Sequence, residues 1–164
     1  ILNMAKGLTN GAVPMGAVAA SRKVYDTVVS NAAPGIEFYH GYTYSGHPLA
    51  AAAAIATLDV YANEGLFERA AGLSSYWEEA VHSLRGCRHV IDVRNLGLMA
   101  GIELDPRPGM AGARAMEAFH RCFDAGVLIR VTADIIALSP PLIISHEEID
   151  EIIECIQSVL EKIG

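Results

Sequence analysis

Asn3-Met4-Ala5-Lys6-Gly7-Leu8-Thr9-Asn10-Gly11, near the start of this 164-residue chain, sets a lone lysine among small, apolar and turn-forming residues. A lysine on a solvated face usually has charged neighbours, and Lys6 has none. Burial would make its ammonium form costly, lower its pKa and turn the amine into a nucleophile toward carbonyl carbon. A Schiff-base lysine needs those properties. The competing reading is structural: the aliphatic stem packs and the charged tip reaches water.

Outward from this stretch, Gly16-Ala17-Val18-Ala19-Ala20 reads as a short buried strand and residues 22–30 as a helix. Residues 31–48 are rich in Gly, Pro, Asn, Ser and aromatics, which predicts a long irregular loop of the kind that carries function. Residues 49–63 are Ala-rich without Gly or Pro and read as a helix, with Gly65 as its C-cap. Leu66, Ala70, Leu73, Trp77, Ala80, Val81 and Leu84 recur at helical spacing. Alternation at Leu98, Ala100, Ile102 and Leu104 predicts a strand, preceded by a weaker one over 89–93. A helix over 111–125 ends at Gly126, and short strands follow over 127–131 and 135–138, stopped by Ser139-Pro140-Pro141. Ser145 and Glu148 have the spacing of a capping box, and Ile149, Ile152, Ile153, Ile156, Val159, Leu160 and Ile163 line one face of the last helix. This order predicts a boundary near 63–66. Before it lies the edge of a larger α/β domain; after it, a small α+β domain.

Composition narrows the function. The net charge of −7 leaves no basic stripe for nucleic acid. Cys87, Cys122 and Cys155 are odd in number and widely spaced, which suits a reducing cytoplasm and three small buried hydrophobes rather than disulfides or a CxxC pair. The most apolar stretch, 49–62, is too short for a membrane span and carries Asp59. The first residues lack a basic n-region, and the chain opens mid-pattern on Ile1-Leu2, as though cut from a longer one.

Two further segments are candidates for chemistry. In Phe38-Tyr39-His40-Gly41-Tyr42-Thr43-Tyr44-Ser45-Gly46-His47-Pro48, two glycines allow close backbone approach, and the Thr43 and Ser45 hydroxyls can donate to an anion. The segment is a phosphate grip or an aromatic-rich turn packed on the core. Arg130, inside Val127-Leu128-Ile129-Arg130-Val131, offers a bidentate fork for a carboxylate. Alternatively it points outward and pairs with a surface acid. His146-Glu147-Glu148 lacks the second His of a zinc helix, and His40 and His47 have no third partner, so no metal is expected.

Together these segments resemble the class III, pyridoxal-phosphate-dependent aminotransferases. Ala5 to Gly11 with Pro14-Met15-Gly16-Ala17-Val18 is similar to the family's lysine segment, and His40 to Pro48 to its phosphate-contacting loop, in wording nearest the omega-amino acid:pyruvate branch. Gly97-Leu98-Met99-Ala100-Gly101-Ile102-Glu103-Leu104 and residues 130–142 resemble its small domain. The resemblance implies an α/β fold of the aspartate aminotransferase-like, fold type I class. Residues 1–65 would be the end of the large domain (lysine segment, phosphate loop and connecting helix), and 66–164 the small C-terminal α+β domain.

It also implies roles. Lys6 would form the Schiff base with pyridoxal 5′-phosphate and shuttle a proton once freed. Thr43 and the Tyr42 backbone N–H would bind the cofactor phosphate, Thr43 across a subunit boundary. Arg130 would pair with a substrate carboxylate. The protein would be a homodimer with shared active sites, moving an amino group from an amine or omega-amino acid to pyruvate or a similar keto acid. The family's pyridine-pairing aspartate, phosphate-binding glycine-serine turn and ring-stacking aromatic precede the lysine and have no counterpart here. The 164 residues alone are therefore expected to be inactive and to self-associate through an uncovered apolar face. Another enzyme of the same cofactor and fold (an aminomutase or decarboxylase) and a non-catalytic small-domain assembly module are the alternatives.

Overall fold

A two-stranded antiparallel ladder opens the chain: β1 (Leu2–Ala5) pairs with β2 (Gly16–Ala19), with Leu2 opposite Ala19 and Ala5 opposite Gly16. The computed structural model describes residues 1–32, 34 and 40–164 and divides into two units, Ile1–Gly65 and Leu66–Gly164. In the first unit the ladder leads into α1 (Arg22–Ser30), whose first turn is capped by Ser21 accepting from the Val24 N–H at 3.4 Å. The helix α2 (Pro48–Asn63) starts on a proline, whose fixed φ suits a first helical position and whose missing N–H would have had no intrahelical partner. It stops where Gly65 turns left-handed at φ +59°.

Among the described residues of this unit only Thr9, Ala50 and Ala54 are buried. The strand expected over 16–20 forms, but it is not buried, and Val18 is 70% exposed. An apolar strand is buried only when a layer covers it, and this two-stranded ladder has no such cover within its own unit. In the loop expected over 31–48, the aromatics Phe38 and Tyr39 lie outside the described residues.

The second unit is built around a sheet. It runs α3 (Leu66–His82), β3 (Val90–Leu96), β4 (Met99–Leu104), α4 (Ala113–Asp124), β5 (Arg130–Thr132), β6 (Ile135–Leu138) and α5 (His146–Leu160). The strands lie in the order β3-β4-β6-β5, every neighbour antiparallel. Ile102 stands opposite both Val93 and Ile136, so one face of the sheet presents Val93, Ile102, Leu104, Ile136 and Leu138 to the helices. Trp77 and Val81 from α3, Ala115, Ala118 and Cys122 from α4, and Ile149, Ile153, Ile156 and Leu160 from α5 complete the core. The capping box on α5 is present in both directions: Ser145 Oγ accepts from the Glu148 N–H, and Glu148 accepts from the Ser145 N–H at 2.8 Å. The loop before it is tied to α3 by Arg69, which donates to the carbonyls of Leu142, Ile143 and Ile144 at 2.7–3.2 Å.

The strand expected over 127–131 begins only at Arg130, and register explains why. Thr132 pairs with Ile135 and Arg130 with Ala137. Continued backward, the ladder would set Val127 opposite Pro140, and Pro140 and Pro141 have no N–H to donate. Val127 and Ile129 are nonetheless buried, with Leu128 exposed between them, so the segment alternates like a strand without the pairing of one.

Candidate functional site

Lys6 follows the last residue of β1 and opens a short 3₁₀ turn, Lys6–Leu8, at a left-handed φ of +56°. Left-handed backbone costs a residue with a Cβ about 1–2 kcal/mol, and such strain concentrates at functional positions. Asn10 (φ +48°) and Gly11 (φ +74°) repeat it within the same connection. The turn is closed by Thr9 N–H to Lys6 O at 3.2 Å and Asn10 N–H to Gly7 O at 3.3 Å. Buried Thr9 donates through its hydroxyl to Val13 O at 2.7 Å, and Tyr61, from the last turn of α2, donates to Gly7 O at 2.7 Å. Lys6 itself is exposed. The expectation of a buried lysine is thus overturned in this chain: both faces of the β1–β2 ladder are open, and no side chain of its unit encloses the amine.

Thr43 lies in a tight turn before α2, where the Ser45 N–H bonds to Tyr42 O at 3.0 Å. Tyr42 is left-handed (φ +52°), as is Gly46 (φ +71°), and the His40 and Tyr42 rings meet edge-to-face at 4.5 Å. Such left-handed turns create backbone concavities that suit anions. The helix that follows carries no side-chain cap on its N-terminus and no acid in its first turn. Its positive end therefore stays available to an anion, next to the Thr43 and Ser45 hydroxyls. These residues fit a phosphate, and Lys6 fits a carbonyl partner.

Among the described residues no hydrogen bond or ion pair joins Lys6 and Thr43. Tyr61 anchors the Lys6 turn near one end of α2, and Thr43 precedes the other end. Between Pro48 and Tyr61 the helix rises about 20 Å. Arg130 belongs to the second unit. It is the first residue of β5, an edge strand, and is exposed. Its neighbour Val131 pairs with buried Ile136, so alternation sends Arg130 to the opposite sheet face. Among the described residues its guanidinium makes no hydrogen bond or ion pair, so the surface acid of the alternative reading is absent. The residue borders an open groove of about 890 Å³ lined chiefly by apolar side chains, among them Trp77, Phe119, Leu138 and Ile152.

Two of the three thiols, Cys122 and Cys87, are made poorer nucleophiles by their surroundings. Burial, helped by neighbouring Cys155, pushes Cys122 up to about 12, and burial also raises Cys87. No cluster of metal-binding residues occurs among the described residues, and no described helix is long and apolar enough to cross a membrane. Tyr61 was missed in the sequence. Its one signal was a polar aromatic in an otherwise Ala-rich helix, and nothing in the spacing pointed it at Gly7, 54 positions away.

Comparison with known proteins now bears on this geometry. The family described as aminotransferase class-III matches residues 1–160. The omega-aminotransferase of Caulobacter vibrioides is 62% identical over 163 residues, covering 99% of this chain. The beta-alanine–pyruvate aminotransferase of Pseudomonas aeruginosa is 41% identical over 166 residues, covering 100%. The chain spans 37% of the length of each. Among solved structures, an amine transaminase from an uncultivated Pseudomonas species, in a PLP-bound form, superposes with a TM-score of 0.88 at 31% identity. That match covers 99% of this chain and 38% of the other.

Proposed function

This chain belongs to the aminotransferase class-III family, and from that premise we propose that it is the lysine-bearing part of a pyridoxal-phosphate-dependent transaminase. The whole protein would move an amino group from an amine or omega-amino acid to pyruvate or a similar keto acid. Class III aminotransferases depend on pyridoxal phosphate. When bound, the cofactor supplies an electron sink that lets a proton leave the carbon bearing the substrate nitrogen. Lys6 Nζ would hold the cofactor covalently and, as a free amine, would carry that proton. Thr43 Oγ1 and the Tyr42 N–H, beside the uncapped start of α2, would hold the phosphate. Arg130 presents its fork to a substrate carboxylate.

The observation that carries this reading is the Lys6 turn: a lysine in strained backbone at the exit of a strand, anchored from a distant helix. In this reading the whole protein would be a homodimer with shared sites, in keeping with a Lys6 turn tied near one end of α2 and Thr43 before the other. Lys6 of one copy and Thr43 of another would then serve the same site. Residues 1–65 correspond in this reading to the end of the large cofactor-binding domain, and 66–164 to the small domain. The 164 residues alone, little more than a third of the length of the relatives, would not turn over. Three unpaired cysteines suit the reducing cytoplasm.

The test is to mix the chain with pyridoxal phosphate, reduce with borohydride and map the adduct by mass spectrometry. The expected result is modification of Lys6 in preference to Lys23 and Lys162, the other two lysines, and its loss in Lys6→Ala. Equal modification of all three would overturn the assignment of Lys6.

A further inference from the structure

We infer that Tyr61 is the positioning residue of Lys6: by holding the carbonyl of Gly7, its phenol sets the direction in which the lysine presents its amine. The inference rests on the role of Lys6 proposed above.

Left to itself, the turn is poorly held. Lys6, Asn10 and Gly11 are all left-handed. Its two closing bonds, at 3.2 and 3.3 Å, lie at or beyond the long end of the usual N–H···O range. The Thr9 hydroxyl bonds four residues along, to Val13, and so stays within the same connection. Tyr61 reaches in from a different element, a 16-residue helix, with a bond of 2.7 Å. Gly7 O therefore accepts twice, from Asn10 and from Tyr61, which uses both its lone pairs and fixes the plane of the Gly7–Leu8 peptide, one residue beyond Lys6. Because Lys6 is exposed, packing does not orient it, and the backbone beneath it must. A rigid anchor at the next carbonyl is the available means.

Tyr61→Phe deletes one oxygen and keeps the ring. The experiment reads the ratio of Lys6 to Lys23 adduct after pyridoxal phosphate and borohydride, together with the unfolding midpoint by circular dichroism. Lys23 lies on exposed α1 and serves as internal reference. The ratio is expected to fall about fivefold in Tyr61→Phe, the equivalent of one net hydrogen bond, with Lys162 labelling and the pH dependence of the Lys23 adduct unmoved. An unchanged ratio overturns the inference. Should the wild-type chain show no preference for Lys6 over Lys23, the role of Lys6 itself fails and this inference falls with it. That result is distinct from an unchanged ratio on a preferred lysine.

Discussion

The two units divide labour unevenly. Residues 1–65 hold Lys6, Tyr42 and Thr43, yet the buried ones among their described residues are one threonine and two alanines. Residues 66–164 hold Arg130 and a cluster of twenty-two buried core residues, enough to support a four-stranded sheet and three helices. Backbone strain follows the same division. Of the five described non-glycine residues with positive φ, Lys6, Asn10 and Tyr42 lie in the first unit, in or beside the segments proposed to carry chemistry. In the second unit Ala133 turns a two-residue hairpin between Thr132 and Ile135, and neighbouring Asp134 accepts from the Gly112 N–H at 2.9 Å, so the strain there serves the fold. Strain persists only where surroundings over-determine it. In the first unit that support is a few polar anchors rather than a core.

Hydrogen exchange should give the widest separation. Amides of β4, β6 and α5 are expected to exchange about a hundredfold or more slowly than those of β1, β2 and α1, since local opening depends on buried contacts. Similar protection in both would break the comparison. Next in size is Ile156→Ala, which empties a fully buried position of α5 and should cost about 2–5 kcal/mol in urea unfolding followed by circular dichroism. A loss below about 1 kcal/mol would mean the core is looser than its burial implies. Ser145→Ala removes the hydroxyl half of the capping box and should cost about 1 kcal/mol in the same assay.

The smallest effect concerns Glu117, held below the usual carboxylate range first by Arg107 and then by Arg121. Because the folded-state pKa is the lower one, this contribution is present above the ordinary glutamate range and fades as pH falls through the folded value. Glu117→Gln should therefore flatten stability against pH on the acid side of about pH 4.5 and leave its slope near neutrality unchanged.

Elements with their own local signals were legible. Residues 22–30 and 135–138 form the helix and strand that periodicity predicted, and the Ser145–Glu148 box starts the last helix. Burial was less legible, because it depends on what packs across from a residue. Val18 and Lys6 have apolar or neutral neighbours in sequence, yet no layer of their own unit covers them. The strand that holds Arg130 was started too early for a related reason. A run of Val, Leu and Ile looks buried throughout, while register on β6 and the prolines after it let only residues 130–132 pair. Tyr61 illustrates a third limit: one bond across 54 residues leaves no trace in local pattern.

Trp77 is the only tryptophan of the chain; it is completely buried and its indole N–H has no partner among the described residues. Its light emission should be that of an indole in a dry hydrocarbon setting, shifted to the blue, and should move to the red only when the second unit opens. A fluorescence melt of this protein would thus look cooperative and complete while remaining silent about the part that carries the lysine. The optical signal and the proposed Schiff-base lysine belong to different units of the chain.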